Sequence, residues 1–238
     1  MIDLGAVVLV DTNLNLIYKA NFNSVEELAL SKVNKERLLA YEKQGLWEHL
    51  ILVGSVGTGK TSVARILGKA SKGKFDDVIE LDCITESFAD IKKKVNGWTT
   101  GWFGSKRLII LDEFHRLDSK AQGLITKPCE DFADKLMFII CCNNYDTIIE
   151  PIKSRFASLN FNIGSNASGR ITLVPYLGYK LDEWKKELVK CASKILKKNN
   201  LSMSDKDIDK VLNNNSQYIV EPRKFIQAIY SELRMRKK

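Results

Sequence analysis

The eight residues GSVGTGKT, from Gly54 to Thr61, satisfy every constrained place of the pattern G-x-x-x-x-G-K-[ST]. They lie between the apolar run HLILV (49–53) and SVARILGKAS, which reads as a helix. Glycine is costly in regular structure, so its concentration at a strand-to-helix turn needs a reason, and phosphate binding supplies one. Gly57 and Gly59 let the backbone turn so that its N–H groups converge on a phosphate chain. The helix opening near Lys60 adds its positive end. Lys60 then reaches the β- and γ-phosphates, and the Thr61 hydroxyl ligates magnesium. The expected cradle is Gly54, Ser55, Val56, Gly57, Thr58, Gly59, Lys60, Thr61 and Ser62, holding ATP and Mg2+.

A bound metal and an attacking water need carboxylates. RLIILDEFHR carries an apolar strand that ends in Asp112 and Glu113, where the carboxyl edge of a parallel sheet would lie. Asp112 is expected to hold the magnesium through its water shell. Glu113 is expected to orient and polarise the water. His115 reads as the start of the next connection rather than as a catalytic group. A further apolar run, LMFIICCNN, ends in Asn143 and Asn144; an amide there can hydrogen-bond the γ-phosphate or the water, although Asn-Asn alone also reads as a turn.

The elements that must position these residues follow from the same rows. The strand-like runs are HLILV (49–53), DVIELD (77–82), RLIILD (107–112), LMFIICC (136–142) and SLNFNI (158–163). Helical patterns fall between them: SVARILGKA, SFADIKKKV, and DSKAQGLITKPCEDF with Asp118 as N-cap and Pro128 as a late interruption. NKERLLAYEKQG reads as a helix before the first core strand, and AVVLV (6–10) as an added edge strand. Short buried strands alternating with helices predict an α/β fold with a five-stranded parallel sheet covered on both faces. After Ile163 the text changes. GSNASG reads as a polar linker, and from Leu181 onward the pattern is helical, with Phe225, Ile226, Ile229 and Leu233 recurring at helical spacing. The predicted division is a nucleotide-binding core over 1–165, including an N-terminal extension over 1–22, and a small all-helical lid over 166–238.

Composition narrows the function classes. With 238 residues, one ordinary domain or two small ones is expected. The net charge of +8 permits an anionic partner such as nucleic acid without requiring one. Five cysteines without a C-x-x-C, and only His49 and His115 as histidines, argue against a disulfide framework or a zinc site and for packed thiols in a reducing cytoplasm. No apolar run approaches a membrane span, and the first residues read as too short and too acidic for a signal peptide. The basic end RMRKK reads as a solvated helix end.

Taken together, these motifs resemble the AAA+ ATPases, and within them the large (ATPase) subunits of sliding-clamp loaders of the type found in eukaryotes, archaea and T4-like phages. The stretch CNNYDTIIEPIKSRF (142–156) is similar to the family's C-N-x-x-x-x-I-I-x-P-[IL]-x-S-R-C, with Phe156 in place of the final Cys. DEFHRLDSKAQGLI resembles the family's D-E-x-D-x-[LM]-x-x-x-A-Q-x-x-L and places Gln122 on its helix glutamine. The DEF form suggests a viral member acting in the host cytoplasm. The resemblance implies that Asn143 is sensor 1, that Arg155 is an arginine finger acting on a neighbouring subunit's nucleotide, and that Arg223 in EPRKFIQAI is the sensor 2 arginine. It also implies a base-side contact at Tyr18, although the family's K-Y-R-P motif survives only as IYKANF. Clamp loaders continue into a helical collar, which is not seen after the lid in this sequence.

The function implied is an ATP-driven subunit of an oligomeric ring, working with other clamp-loader subunits, a sliding clamp and primer-template DNA. Candidate DNA contacts are Lys92, Lys93 and Lys94, of which helical spacing lets only one or two face a duplex. Trp98, Trp102 and Phe103 in NGWTTGWFGSKR either stack on a partner or pack onto the sheet. The competing readings are another DNA-remodelling, helicase-loading or transposition ATPase of the same fold, and a non-hydrolysing, nucleotide-gated scaffold.

Overall fold

A computed structural model describes residues 22–100, 105–167 and 170–236. The candidate edge strand at 6–10, Tyr18, Trp102 and Phe103 lie outside them. The described chain divides into two compact units. One holds Ser24–Glu26 and Lys32–Asn162; the other holds the segment Glu27–Ser31 and the chain from Ile163.

The first unit begins with α1 (Lys32–Gln44) and then alternates strand and helix: β1 (Leu50–Val53), α2 (Lys60–Ala70), β2 (Asp77–Asp82), α3 (Phe88–Thr100), β3 (Arg107–Asp112), α4 (Ser119–Gly123), α5 (Thr126–Asp131), β4 (Leu136–Cys142), α6 (Glu150–Lys153) and β5 (Ala157–Asn160). The strands form one sheet in the order β2-β3-β4-β1-β5, with every pairing parallel. β1 and β4 are buried along their whole length because each has a strand on both sides and helices over both faces. DVIELD behaves differently. β2 is one of the two edge strands, and only Leu81 in it is buried.

The order puts β4 between β1 and β3. Val53 pairs with Cys142, and Leu111 with Ile140, so the segments leaving β1, β3 and β4 emerge side by side at the carboxyl edge. The long helical pattern from Ser119 is broken in two at Leu124–Ile125, ahead of Pro128. Its start is capped by Asp118, whose carboxylate accepts the Ala121 N–H at 2.7 Å.

The second unit contains β6 (Gly164–Ala167) and β7 (Arg170–Leu173), followed by α7 (Leu181–Lys198), α8 (Asp205–Asn214), α9 (Gln217–Val220) and α10 (Pro222–Met235). Here GSNASG is not a bare linker. Its first residues form an antiparallel pair with Arg170–Leu173, so the unit is not all-helical. The polar composition hid the strand because β6 is only half-buried and its order comes from backbone pairing. Trp184 is fully buried at the centre of this core, with its indole N–H donating to the Ile219 carbonyl at 2.9 Å. Phe225 and Ile229 are buried as the spacing predicts, with Ile226 and Leu233 packed beside them.

His49 shows why one of the two histidines is structural. It is buried. Nδ1 accepts the Phe138 N–H at 3.2 Å, so Nε2 carries the proton and faces the Cys129 carbonyl at 3.3 Å. Phe156 packs on its ring with centroids 4.9 Å apart, which is what the phenyl group does in the place where the resembling family has Cys. Burial pushes the His49 pKa below its ordinary value. The unfolded chain therefore binds a proton that the folded chain refuses, and stability falls as pH drops below about 6.5. Thermal melts between pH 8 and pH 5 should show this acid-side loss, and it should be smaller in His49→Gln, each protein being referred to its own value at pH 8.

Candidate functional site: a phosphate loop facing a carboxylate pair

The loop from Gly54 to Gly59 takes its shape from positions where a side chain would be strained or crowded. Gly57 and Gly59 have φ of 81° and 98°, in the left-handed region that favours glycine. Gly54 is needed for a different reason. A Cβ there would meet the Phe161 Cβ at 2.9 Å and the Phe161 carbonyl carbon at 3.0 Å. Its N–H donates to the Cys142 carbonyl at 3.1 Å, extending the β1–β4 ladder by one step. Asn162 Oδ1 accepts from both the N–H and the hydroxyl of Ser55, each at 3.0 Å. The sequence pattern alone does not single out Asn162. Thr58 is buried and its hydroxyl donates to the Ser55 carbonyl at 2.9 Å. Val56 is 60% exposed at the loop's tip. Lys60 opens α2, with Thr61 and Ser62 in its first turn.

Lys60 is only 6% exposed. Its ammonium donates to the carbonyls of Gly54 (2.7 Å) and Ser55 (2.9 Å) and to Asn143 Oδ1 (3.0 Å). Burial pushes its pKa below the usual lysine value, against the opposing pull of nearby acidic groups that include Glu113 and Asp112. Thr61 Oγ1 donates to Asp112 Oδ2 at 2.9 Å, and the other Asp112 oxygen accepts the Glu113 N–H at 3.0 Å. A hydroxyl and a carboxylate in contact are the donor set that a hard, oxygen-seeking cation uses beside phosphates. Among the described residues no cluster of three or more His, Cys, Asp or Glu side chains forms an all-protein metal cage.

Glu113 has φ of 52°. A left-handed conformation in a non-glycine residue is held only where the surroundings demand it, and such strain clusters at working sites. The Glu113 carboxylate lies 3.4 Å from Asn143 Nδ2 and 3.5 Å from His115 Nε2. Sequence reasoning left His115 in the connection after β3. The 3-10 turn Phe114–Arg116 instead points its imidazole back to the strand ends, where Nδ1 lies 3.4 Å from the Asn143 N–H. The structure thus brings together Lys60, Thr61, Asp112, Glu113 and Asn143 from three strand ends.

Arg155 is engaged within its own chain. Nε donates to Glu130 Oε1 at 2.7 Å, and the guanidinium also pairs with that carboxylate through Nη2. Arg223 is an exposed residue in the first turn of α10, in the second unit. Of the three lysines in α3, Lys94 pairs with Glu86, leaving Lys92 and Lys93 exposed. Trp98 packs down against Phe138 with ring centroids 6.2 Å apart, which settles that residue in favour of the core.

Residues 50–162 match the ATPase family associated with various cellular activities (AAA). The chain is 33% identical over 132 residues to a replication factor C small subunit of Natronomonas pharaonis, covering 53% of this chain and 41% of that protein. A replication factor C small subunit of Methanocella arvoryzae is 36% identical over 131 residues, covering 52% and 41%. The chain therefore spans less than half the length of these relatives. Among solved structures, a Holliday junction branch migration motor, RuvB of Thermotoga maritima, is similar with a TM-score of 0.56 at 20% identity, over 86% of this chain and 64% of that one. AMPPCP-bound DnaA from Aquifex aeolicus gives 0.57 at 17% identity, over 89% and 65%. At such identities these two likenesses establish the AAA+ P-loop fold.

Gln122 joins the acidic strand end to the segment leading to Arg155. It is 2% exposed. Nε2 donates to the carbonyls of Leu117 and Thr147, both at 3.0 Å, and Oε1 accepts the Ile149 N–H at 3.1 Å. Gln122→Ala strands these backbone groups, and denaturant unfolding should show a loss of about 2–4 kcal/mol. Gly54→Ala should cost about 1–3 kcal/mol by overpacking against the chain at Phe161. It should also weaken binding of a fluorescent ATP analogue more than an alanine at exposed Val56 does.

Proposed function

We propose that this chain is an ATP-hydrolysing subunit of a DNA sliding-clamp loader. The observation that carries the reading is the meeting of Lys60, Thr61, Asp112, Glu113 and Asn143 at the ends of β1, β3 and β4, in a domain whose curated relatives include replication factor C small subunits. The loop Gly54–Thr61 binds the phosphates of ATP, with Lys60 exchanging its carbonyl partners for β- and γ-phosphate oxygens. Thr61 and Asp112 would hold Mg2+, which supplies charge neutralisation to the phosphates when bound. Glu113 orients a water toward the γ-phosphorus and draws off its proton as the new P–O bond forms and the bond to the β–γ bridging oxygen breaks. Asn143 reads the γ-phosphate.

Arg155 acts in trans as an arginine finger, and to do so it exchanges Glu130 for a neighbour's phosphate. The residues 166–238 act as a lid carrying Arg223 as sensor 2, and Tyr18, outside the described residues, is assigned the base-side contact. Partners are other loader subunits in a ring, a sliding clamp and primer-template DNA, with Lys92 and Lys93 available to DNA phosphates. The DEF and CNNYDTIIEPIKSRF stretches support a loader of the type shared by archaea, eukaryotes and T4-like phages, working in the cytoplasm of a cell or viral host. Among the described residues no helix is long and apolar enough to cross a membrane.

Steady-state turnover with and without primed DNA and clamp tests the reading. Glu113→Gln should lower kcat by roughly 10²–10⁴-fold while ATP still binds. Arg155→Ala should abolish stimulated turnover, and mixing it with wild type should depress the wild-type rate as neighbours lose their finger. Turnover that ignores DNA, clamp and Arg155 would overturn the loader reading.

A further inference from the structure

Histidine 115 takes no part in the mechanism just described, yet its ring lies between two of the residues that do. The hydrogen positions around it follow from what each neighbour can offer. Lys60 has only donors, so the Asn143 oxygen that meets it at 3.0 Å is fixed as Oδ1. Asn143 Nδ2 must then face Glu113 Oε2, 3.4 Å away. The Asn143 main-chain N–H can only donate, so His115 Nδ1, 3.4 Å from it, is the unprotonated nitrogen. The ring proton is left on Nε2, which lies 3.5 Å from the same Glu113 oxygen. Asn143 Nδ2 also lies 3.4 Å from His115 Nε2; a bare Nε2 could accept from it, but would then oppose Glu113 Oε2 as acceptor to acceptor and turn a protonated Nδ1 on the Asn143 N–H, so the two N–H groups instead stand side by side and face one carboxylate oxygen. The ring itself is 14% exposed, against 28% for Glu113.

We propose that His115 is a positioning residue: its Nε2–H, held in that tautomer by the Asn143 main chain, fixes the direction in which the Glu113 carboxylate presents itself to water. This rests on the reading of Glu113 as the group that orients water. Contacts of this kind are commonly long and tighten in the complex that reacts. The left-handed backbone of Glu113 is part of the same device. It ends the extended run of β3 at Glu113, and a side chain beyond the strand needs a fixed partner to have one direction rather than several. Asn143 supplies one partner and His115 the second, so the amide that meets Lys60 and the carboxylate that meets water cannot reorient independently.

Two measurements on the protein test this. The first needs no turnover. In 15N-histidine-labelled protein, His115 should show a protonated Nε2 and a bare Nδ1. Glu113→Gln should move the His115 Nε2 signal and leave that of His49 in place. The opposite tautomer, or an Nε2 signal indifferent to Glu113→Gln, overturns the proposal. The second is kinetic. His115→Ala should lower kcat roughly ten- to a hundredfold with the ATP Kd changed less than twofold. His115→Gln, which places an amide N–H near the position of Nε2, should restore most of the rate. Loss of ATP affinity in step with kcat, or no rescue by Gln in a folded variant, would make His115 merely structural. If the wild-type protein turns over no ATP, the hydrolysis reading fails by itself and the tautomer measurement still decides the proposal.

Discussion

The Lys60 ammonium is withdrawn almost entirely from water, and a buried cation must be surrounded by acceptors. It finds them on two segments that are far apart in sequence: the Gly54 and Ser55 carbonyls of its own loop and the Asn143 amide beyond β4. This requirement ties the loop after β1 to the end of β4. From Asn143 the same network passes to Glu113 and His115 beyond β3. Much of the site's geometry follows from satisfying one positive charge in a dry place. The carbonyls that receive it are held in turn by the sheet, through the Gly54 N–H on Cys142.

The sheet makes such a meeting possible because it is parallel and its order is not sequential. Parallel strands deliver all their carboxyl ends to one edge, and the crossover that inserts β1 beside β4 brings the glycine loop next to β3's acids through a single intervening strand. Close packing then sets the details. Gly54 passes so near Phe161 that an added Cβ would force the chain there to shift, and Asn162 holds the next residue of the loop. Gln122 does similar work lower down, fastening the turn after β3 to the segment that carries Arg155. The buried thiols Cys141 and Cys142 occupy opposite faces of β4, and burial raises both pKa values, that of Cys142 to about 11. They behave as core side chains.

Arg155 and Glu130 illustrate how charge on the surface differs from charge in the site. Their pair is partly exposed, so it is worth little and is readily exchanged for a stronger anion. Lys60 has no such freedom. The contrast matches the roles proposed for them, one group fixed in its own subunit and the other available to a neighbour.

Much was legible in the residues themselves. GSVGTGKT between an apolar run and a helix specified a strand, a phosphate loop and a helix start, because glycine spacing, helix periodicity and strand hydrophobicity are local properties. DVIELD, RLIILD and LMFIICC marked three strands at their observed bounds, since buried parallel strands read as continuous apolar runs and charged residues flank them. The strand hidden in GSNASG was not legible, because backbone pairing rather than side-chain burial forms it. The role of Gly54 as a point of close approach, the hold of Asn162 on Ser55 and the three-way anchoring by Gln122 were not legible either, since each depends on a partner at a distance in sequence. His115 is the sharpest case. Its position three residues after Asp112 says nothing about direction, and only the tight turn at Phe114 and the nearness of β4 aim its ring at Glu113 and Asn143. The sequence by itself determined which chemical groups are present and on which strand ends they sit. Only the tertiary structure decided which of them share a hydrogen bond, because the strand order that brings them together is a property of the whole sheet and not of any segment within it.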